Sequence, residues 1–186
     1  MTSQPTLQTQ RLILRPFTLA DAPQVQRLAG DRAVAATTAT IPHPYGDGVA
    51  EAWIGRHSEN FQKGGNIDFA IELREEHTLV GAIGLMAISP EHSRAEMGYW
   101  IGKPWWGGGY ATEAAGATLT YAFDTLGLNR VFALHFHGNP ASGRVMRKIG
   151  MRHEGCLRQH FRKWGELQDE EIYGILKSEY DARVRS

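Results

Sequence analysis

A chain of 186 residues with a hydrophobic fraction of 42% has the size of one ordinary domain, expected to run over 1–186, and can bury roughly 70% of its unfolded surface. Lysine plus arginine equals aspartate plus glutamate at 20 each, which argues against direct nucleic-acid binding, and no apolar run approaches the ~20 residues that cross a membrane. The single cysteine, Cys156, excludes an internal disulfide framework and paired-cysteine metal sites.

The N-terminus lacks the basic-then-apolar layout of a signal peptide, so a cytoplasmic protein is expected. "RLILRPF" (11–17) reads as a first strand, stopped by Pro16. Asp21 is placed to cap a helix carrying Val25 and Leu28, with Pro23 tolerated in its first turn. "TTATIPHPYGDG" (37–48) has loop composition. A second helix is expected from Ala50 to Phe61, closed by Gly64 and Gly65. The period then changes to two. Ile67–Leu73, 78–88 and 93–101 read as strands joined by turn-sized segments, an antiparallel meander.

Next comes "KPWWGGGYATEA" (103–114), three glycines ahead of a helix with Ala115, Leu119, Ala122 and Phe123 on its inner face and Gly127 at its end. A helix N-terminus carries amides without internal partners and the positive end of the dipole, and glycines let a phosphate approach them. The spacing fails the Walker A pattern, because Gly108 stands where lysine is required. It fails the dinucleotide pattern too, because Thr112 stands where the last glycine is required. A tight strand-to-helix turn is the alternative reading of the glycines.

Downstream, a strand (131–137), able to lie beside Ile101, leads into a punctuated helix. Asn139 suits the N-cap, Pro140 the first turn and Gly150 the left-handed position past the end, with Met146 and Met151 in contact across it. The element order as a whole indicates an α+β or mixed α/β fold.

Taken together, "AEMGYWIGKPWWGGGYATEA", "NPASGRVMRKIGM" and "GCLRQHFRKWGELQDEEIYGILKSEY" resemble the GNAT acetyltransferase superfamily, and within it the branch of ribosomal-protein N-terminal acetyltransferases. The pyrophosphate signature Q/R-x-x-G-x-G/A is met by Trp106-Gly107-Gly108-Gly109-Tyr110-Ala111, except that Trp106 replaces the Gln or Arg. The resemblance implies a central, mostly antiparallel sheet with one splayed parallel strand pair, flanked by helices. It implies acetyl-CoA as cosubstrate, its pantetheine along Tyr99, Trp100 and Ile101 and its pyrophosphate on amides from Gly107 to Thr112. Asn139 and Ser142 would lie near its sulfur, and the basic stretch 144–163 could supply charge near its 3′-phosphate.

The family's usual acid is a tyrosine in L-Y-E-K-x-G-F; the corresponding residue is Met146, which leaves Ser142 as the candidate to hydrogen-bond the sulfur, or simply to cap its helix. Glu96 is the candidate base, with a structural or substrate-orienting carboxylate as the rival reading. The acceptor amine sets the demand on that base. A lysine of pKa ~10.4 costs roughly 4.6 kcal/mol to deprotonate at pH 7, an α-amine of pKa ~7.7 only about 1. A protein N-terminal α-amine is therefore the first acceptor expected, a polyamine or other small amine the second, and a non-catalytic acyl-CoA-binding module the alternative class. Glu113 reads as a complement to the helix dipole, Cys156 as a buried inert thiol, and Tyr173 with "HFRKW" as core or acceptor-pocket lining. His135 and His137 share a strand face without a third ligand, so no metal is expected. A monomer or homodimer fits this reading.

Overall fold

The computed structural model describes residues 3–185. Eight strands form one sheet: β1 (Leu7–Gln8), β2 (Leu12–Pro16), β3 (Ile67–Leu73), β4 (Thr78–Ser89), β5 (Arg94–Ile101), β6 (Arg130–Phe136), β7 (Arg152–Lys163) and β8 (Glu166–Leu176). Their spatial order is β1-β2-β3-β4-β5-β6-β8-β7. Every neighbouring pair is antiparallel except β5 and β6, which are parallel, giving the mixed α/β architecture expected. Helices α1 (Ala22–Ala29), α2 (Arg32–Ala36), α3 (Val49–Gly55), α4 (His57–Gln62), α5 (Tyr110–Thr120), α6 (Pro140–Lys148) and α7 (Lys177–Val184) complete the chain. Among the described residues no helix is long and apolar enough to cross a membrane.

The alternation read in the middle strands sorts their side chains onto two faces. Phe69, Ile71, Ile83, Leu85 and Met97 join Ala115, Leu119 and Met146 in the main core under α5 and α6. Ala70 and Leu79 meet Val25, Ala50 and Ile54 in a second cluster under α1 and α3, with Trp100 packed against it. The hairpin of β7 and β8 turns on Trp164 and Gly165, both at positive φ, the conformation a two-residue turn needs.

Several local expectations are corrected. Asp21 precedes α1 but gives it no side-chain cap; its carboxylate instead accepts both Nη groups of Arg15 at 2.8 Å and the Thr18 amide. The helix expected over 50–61 divides at Arg56, where the chain closes a tighter turn onto Trp53. The helix after the glycines loosens past Thr120 into a π turn, Tyr121–Thr125, before Gly127 ends it at positive φ. β1, α2 and α7 carry too little pattern to have been anticipated. α6 is as expected: the amides of Gly150 and Met151 reach back to Arg147 and Met146, closing a Schellman motif.

Arg15 joins β2 to its surroundings, since its Nε also donates to Glu72 on β3 at 2.5 Å. Burial opposes ionisation of both Asp21 and Glu72, yet the bonds from Arg15 hold both carboxyls below the ordinary range. Their contribution is thus present above the unfolded pKa values and lost as pH falls through the lower folded ones. Arg15→Met, which strands two nearly buried carboxylates, should cost roughly 3–5 kcal/mol at neutral pH. In urea titrations the gap from wild type should narrow as pH falls through the lowered folded pKa values of the two acids, below the ordinary carboxylate range.

Candidate active site

The parallel ladder is short. Arg94, Ala95 and Glu96 pair with Arg130, Val131 and Phe132, and beyond that register the strands part. The strand from Arg130 therefore lies beside the start of β5 and not beside Ile101. β4 holds the other edge of β5 along its length, with a bulge just past the Met86–Glu96 pair. The Gly102 amide donates to Val80 at 2.8 Å, and ladder alternation then turns the backbone groups of Trp100 toward β4 and those of Tyr99 and Ile101 toward the fork. Of the three residues expected along a ligand, two present their backbone there. Trp106 closes the outer end, its indole Nε1 donating to the Ile101 carbonyl at 2.6 Å.

α5 opens from this edge. Gly107 and Gly109 have φ of 80° and 81°, a region side chains resist, so the turn itself requires glycine at both. A Cβ on Gly108 would lie 2.7 Å from the Tyr110 ring. Gly109 supplies no side-chain cap, and a helix's first amides have no internal acceptor. The amides of Tyr110, Ala111 and Thr112 therefore face outward at the positive end of an eleven-residue helix.

Arg11, unmarked by any sequence signal, braces this turn. Its guanidinium donates to the Gly108 carbonyl at 3.0 Å and lies 4.6 Å from the Tyr110 ring centre. Glu113 does more than complement the dipole. It accepts from Thr9 Oγ1 at 2.6 Å, the Arg11 amide at 2.8 Å and Arg11 Nε at 2.7 Å. Burial works against its charge, but those bonds keep the carboxyl below its ordinary range.

α6 brings a hydroxyl to the fork. Asn139 caps it by accepting the Ser142 amide at 3.4 Å. That leaves the Ser142 hydroxyl 2.7 Å from the Tyr99 hydroxyl, which also lies 3.2 Å from the Ser142 carbonyl. Burial pushes the Tyr99 phenol up to about 12, with the Ser142 bond pulling weakly the other way. The Tyr99 side chain, missed by a reading that used only its backbone, makes a hydroxyl pair from two elements 43 residues apart.

Glu96 occupies the last paired register, on the opposite face of β5 from Tyr99. It is half-buried, and burial followed by the charge of Glu170 raises its carboxyl. Glu170, on β8, is buried and raised as well, chiefly by burial. No spacing in the sequence couples these two acids.

Other residues separate from the fork. The basic stretch disperses: Arg147 binds the Tyr173 hydroxyl, Arg152 pairs with Glu179, and Lys163 holds the carbonyls of Ala39 and Ile41. Cys156 is exposed, not buried; local desolvation and the carboxylate of Glu171 raise its thiol, the wrong direction for a nucleophile. His135 is buried with Nδ1 on the Phe136 carbonyl, whereas His137 meets Glu171. Among the described residues no group of three or more His, Cys, Asp or Glu is placed to hold a metal ion.

A sheet forked at one parallel pair, with a glycine-led helix rising from the fork, is the arrangement that the acetyltransferase resemblance implied. The acetyltransferase (GNAT) domain model matches residues 11–152, and the chain belongs to that family of N-acetyltransferases, which use acetyl-CoA. It is 34% identical over 179 residues to the uncharacterized N-acetyltransferase YoaA of Bacillus subtilis, covering 93% of this chain and 97% of that one. A GNAT-family acetyltransferase structure from Bacillus anthracis superposes with a TM-score of 0.83 at 30% identity, covering 94% of this chain and all of the other. The ribosomal-protein-serine acetyltransferase of Escherichia coli is 32% identical over 85 residues, 46% of this chain and 48% of that one.

If Arg11 holds the turn in the shape that presents these amides, Arg11→Gln should weaken CoA binding roughly tenfold, the loss of about one charge-assisted hydrogen bond. Calorimetric titration with CoA checks this against a circular-dichroism melt, which should shift by only a few degrees.

Proposed function

We propose that the protein transfers the acetyl group of acetyl-CoA directly to a primary amine, and that a protein N-terminal α-amine, of the kind ribosomal proteins carry, is the acceptor class. The observation that carries the reading is the fork itself, with a hydroxyl pair on one face of β5 and a raised carboxyl on the other. The partial likeness to a ribosomal-protein acetyltransferase supports the acceptor class.

The residues fit the cosubstrate. The outward amides of Tyr110, Ala111 and Thr112 suit a pyrophosphate, and the fork-facing backbone of Tyr99 and Ile101 suits an amide-bearing chain. When bound, acetyl-CoA supplies an activated carbonyl and a thiol leaving group whose pKa is near ~8.5. With the Tyr99 hydroxyl donating the hydrogen bond to Ser142 Oγ, the Ser142 hydroxyl hydrogen is free to point at the departing sulfur. A phenol raised to about 12 is a poorer acid than that thiol, so the pair stabilises the thiolate by hydrogen bonding and need not surrender a proton. Glu96 takes a proton from the acceptor ammonium, directly or through water, and the neutral amine so formed attacks the thioester carbonyl. Its raised carboxyl lies nearer the working pH, where a base is most effective, and Glu170 helps hold it there.

An α-amine needs only about 1 kcal/mol of deprotonation at pH 7, within reach of such a base. Thiol release measured with acetyl-CoA and short peptides should require a free N-terminus. Acetylation of a lysine side chain on a blocked peptide would overturn the acceptor class, and absence of release with every amine would overturn the reaction.

Because a base acts only when deprotonated, kcat/KM should rise with pH through the Glu96 titration, above the ordinary carboxylate range. Glu96→Gln should abolish that limb, and Glu170→Gln should move it to lower pH. Ser142→Ala and Tyr99→Phe should lower kcat by roughly 10–100-fold while leaving CoA affinity unchanged.

A further inference from the structure

On the Glu96 face of the sheet, one row of paired positions runs from β3 to β5. Asp68 stands opposite Gly84, and Gly84 stands opposite Gly98. Neither glycine has positive φ, so each is there for space. A Cβ on Gly84 would lie 2.7 Å from the Ile67 carbonyl oxygen and 2.9 Å from Asp68 Oδ1, and one on Gly98 would lie 2.7 Å from the Met86 methyl. The Asp68 carboxylate therefore leans over β4 at Gly84, while the flexible end of Met86, which pairs with Glu96, lies over Gly98. Two residues along β5 from Gly98, on the same face, stands Glu96.

The Asp68 carboxylate accepts no hydrogen bond from any described residue. Gln4 reaches only its backbone carbonyl, and the nearest charged or titratable partner is His57 Nε2 at 3.9 Å. The Asp68 side chain is 17% exposed and that of His57 is 7% exposed. Both ring nitrogens of His57 are buried without partners, with Phe17 and Trp53 edge-on to the ring. A carboxylate left without donors is costly to bury, and burial raises Asp68 to about 6 and lowers His57 to about 4. The carboxylate faces Gly84 on the row that leads through Gly98 to β5.

We propose that Asp68 receives a second ammonium group of the acceptor, roughly two strand spacings (about 10 Å) from the fork, with His57 as its positioning residue. A cation on the outer side of the carboxylate keeps it ionised, with the buried His57 ring packed 3.9 Å away to fix its orientation. The acceptor is thus a dication, with the reacting amine at Glu96 and a primary ammonium at Asp68. The distal group belongs either to a linear polyamine or to a lysine a few residues from a peptide N-terminus. The inference rests on acetyl transfer at the fork for the identity of the near end.

The test is calorimetric binding of a homologous series of α,ω-diamines, from diaminopropane to diaminodecane, to the CoA-loaded protein, with thiol release followed in parallel. Affinity should peak at one chain length and exceed that of the matching monoamine. Asp68→Asn should weaken the best diamine about tenfold or more, flatten the length profile and leave monoamine and CoA binding unchanged. His57→Gln should show the same pattern to a smaller degree. A flat profile in the wild-type protein, or equal losses for monoamine and diamine in Asp68→Asn, overturns the inference even if thiol release proceeds. A length optimum that depends on Asp68 sustains it even if no acetyl is transferred, in which case the proposed reaction falls instead. Peptides with lysine or glutamine at the second to fourth positions identify the source: Asp68-dependent preference for lysine marks a protein acceptor, and preference for the diamines alone marks a polyamine.

Discussion

The rest of the structure depends on a parallel pairing that stops too early. β5 and β6 are joined through α5, and a crossover of that kind delivers the second strand parallel to the first. β4 holds the outer edge of β5 and β8 holds the outer edge of β6, so neither strand can follow the other once they diverge past Glu96. Backbone groups on the inner edges are left without a strand partner, and such groups demand one. Trp106 meets one of them at Ile101. The others suit the extended, amide-bearing ligand proposed for the fork.

Two readings of the glycine run had seemed to compete, a tight turn or a phosphate seat. The backbone shows the turn, and the turn is compatible with the seat. Positive φ at Gly107 and Gly109 is what turns the chain from β5 into α5, and the same turn leaves the first amides of the helix bare. A side chain at Gly109 would therefore strain the fold as well as crowd a ligand, so damage to stability there does not separate the two roles. Arg11 offers a cleaner division, because it braces the carbonyl of Gly108 from outside the turn.

The two faces of β5 carry different chemical groups. Tyr99 points to α6 and meets Ser142, forming the hydroxyl side of the fork. Glu96 points the other way, toward Glu170, and its face carries the row Asp68, Gly84 and Gly98. The period of two that buried Met97 and Ile101 thus also assigns hydrogen-bond donors to one side of the sheet and carboxylates to the other.

Much of this was legible in the residues. The meander, the capped helix at Asn139 and the glycine turn are local patterns, fixed by spacing and by the conformations that Gly, Pro and Asn allow, so a linear reading recovers them. The weakly patterned elements, β1, α2 and α7, escaped it, and Arg56 divided a helix whose spacing looked continuous. The site's working partners were beyond reach for a different reason. Arg11 with Gly108, Tyr99 with Ser142 and Glu96 with Glu170 are pairs separated by 97, 43 and 74 positions in the chain. Sequence by itself determined the elements and the turn that bares the amides, because those depend on neighbouring dihedrals. Only the tertiary structure decided which hydroxyl meets which and which carboxylate is raised, because hydrogen bonding and burial depend on what folding brings within a few ångströms.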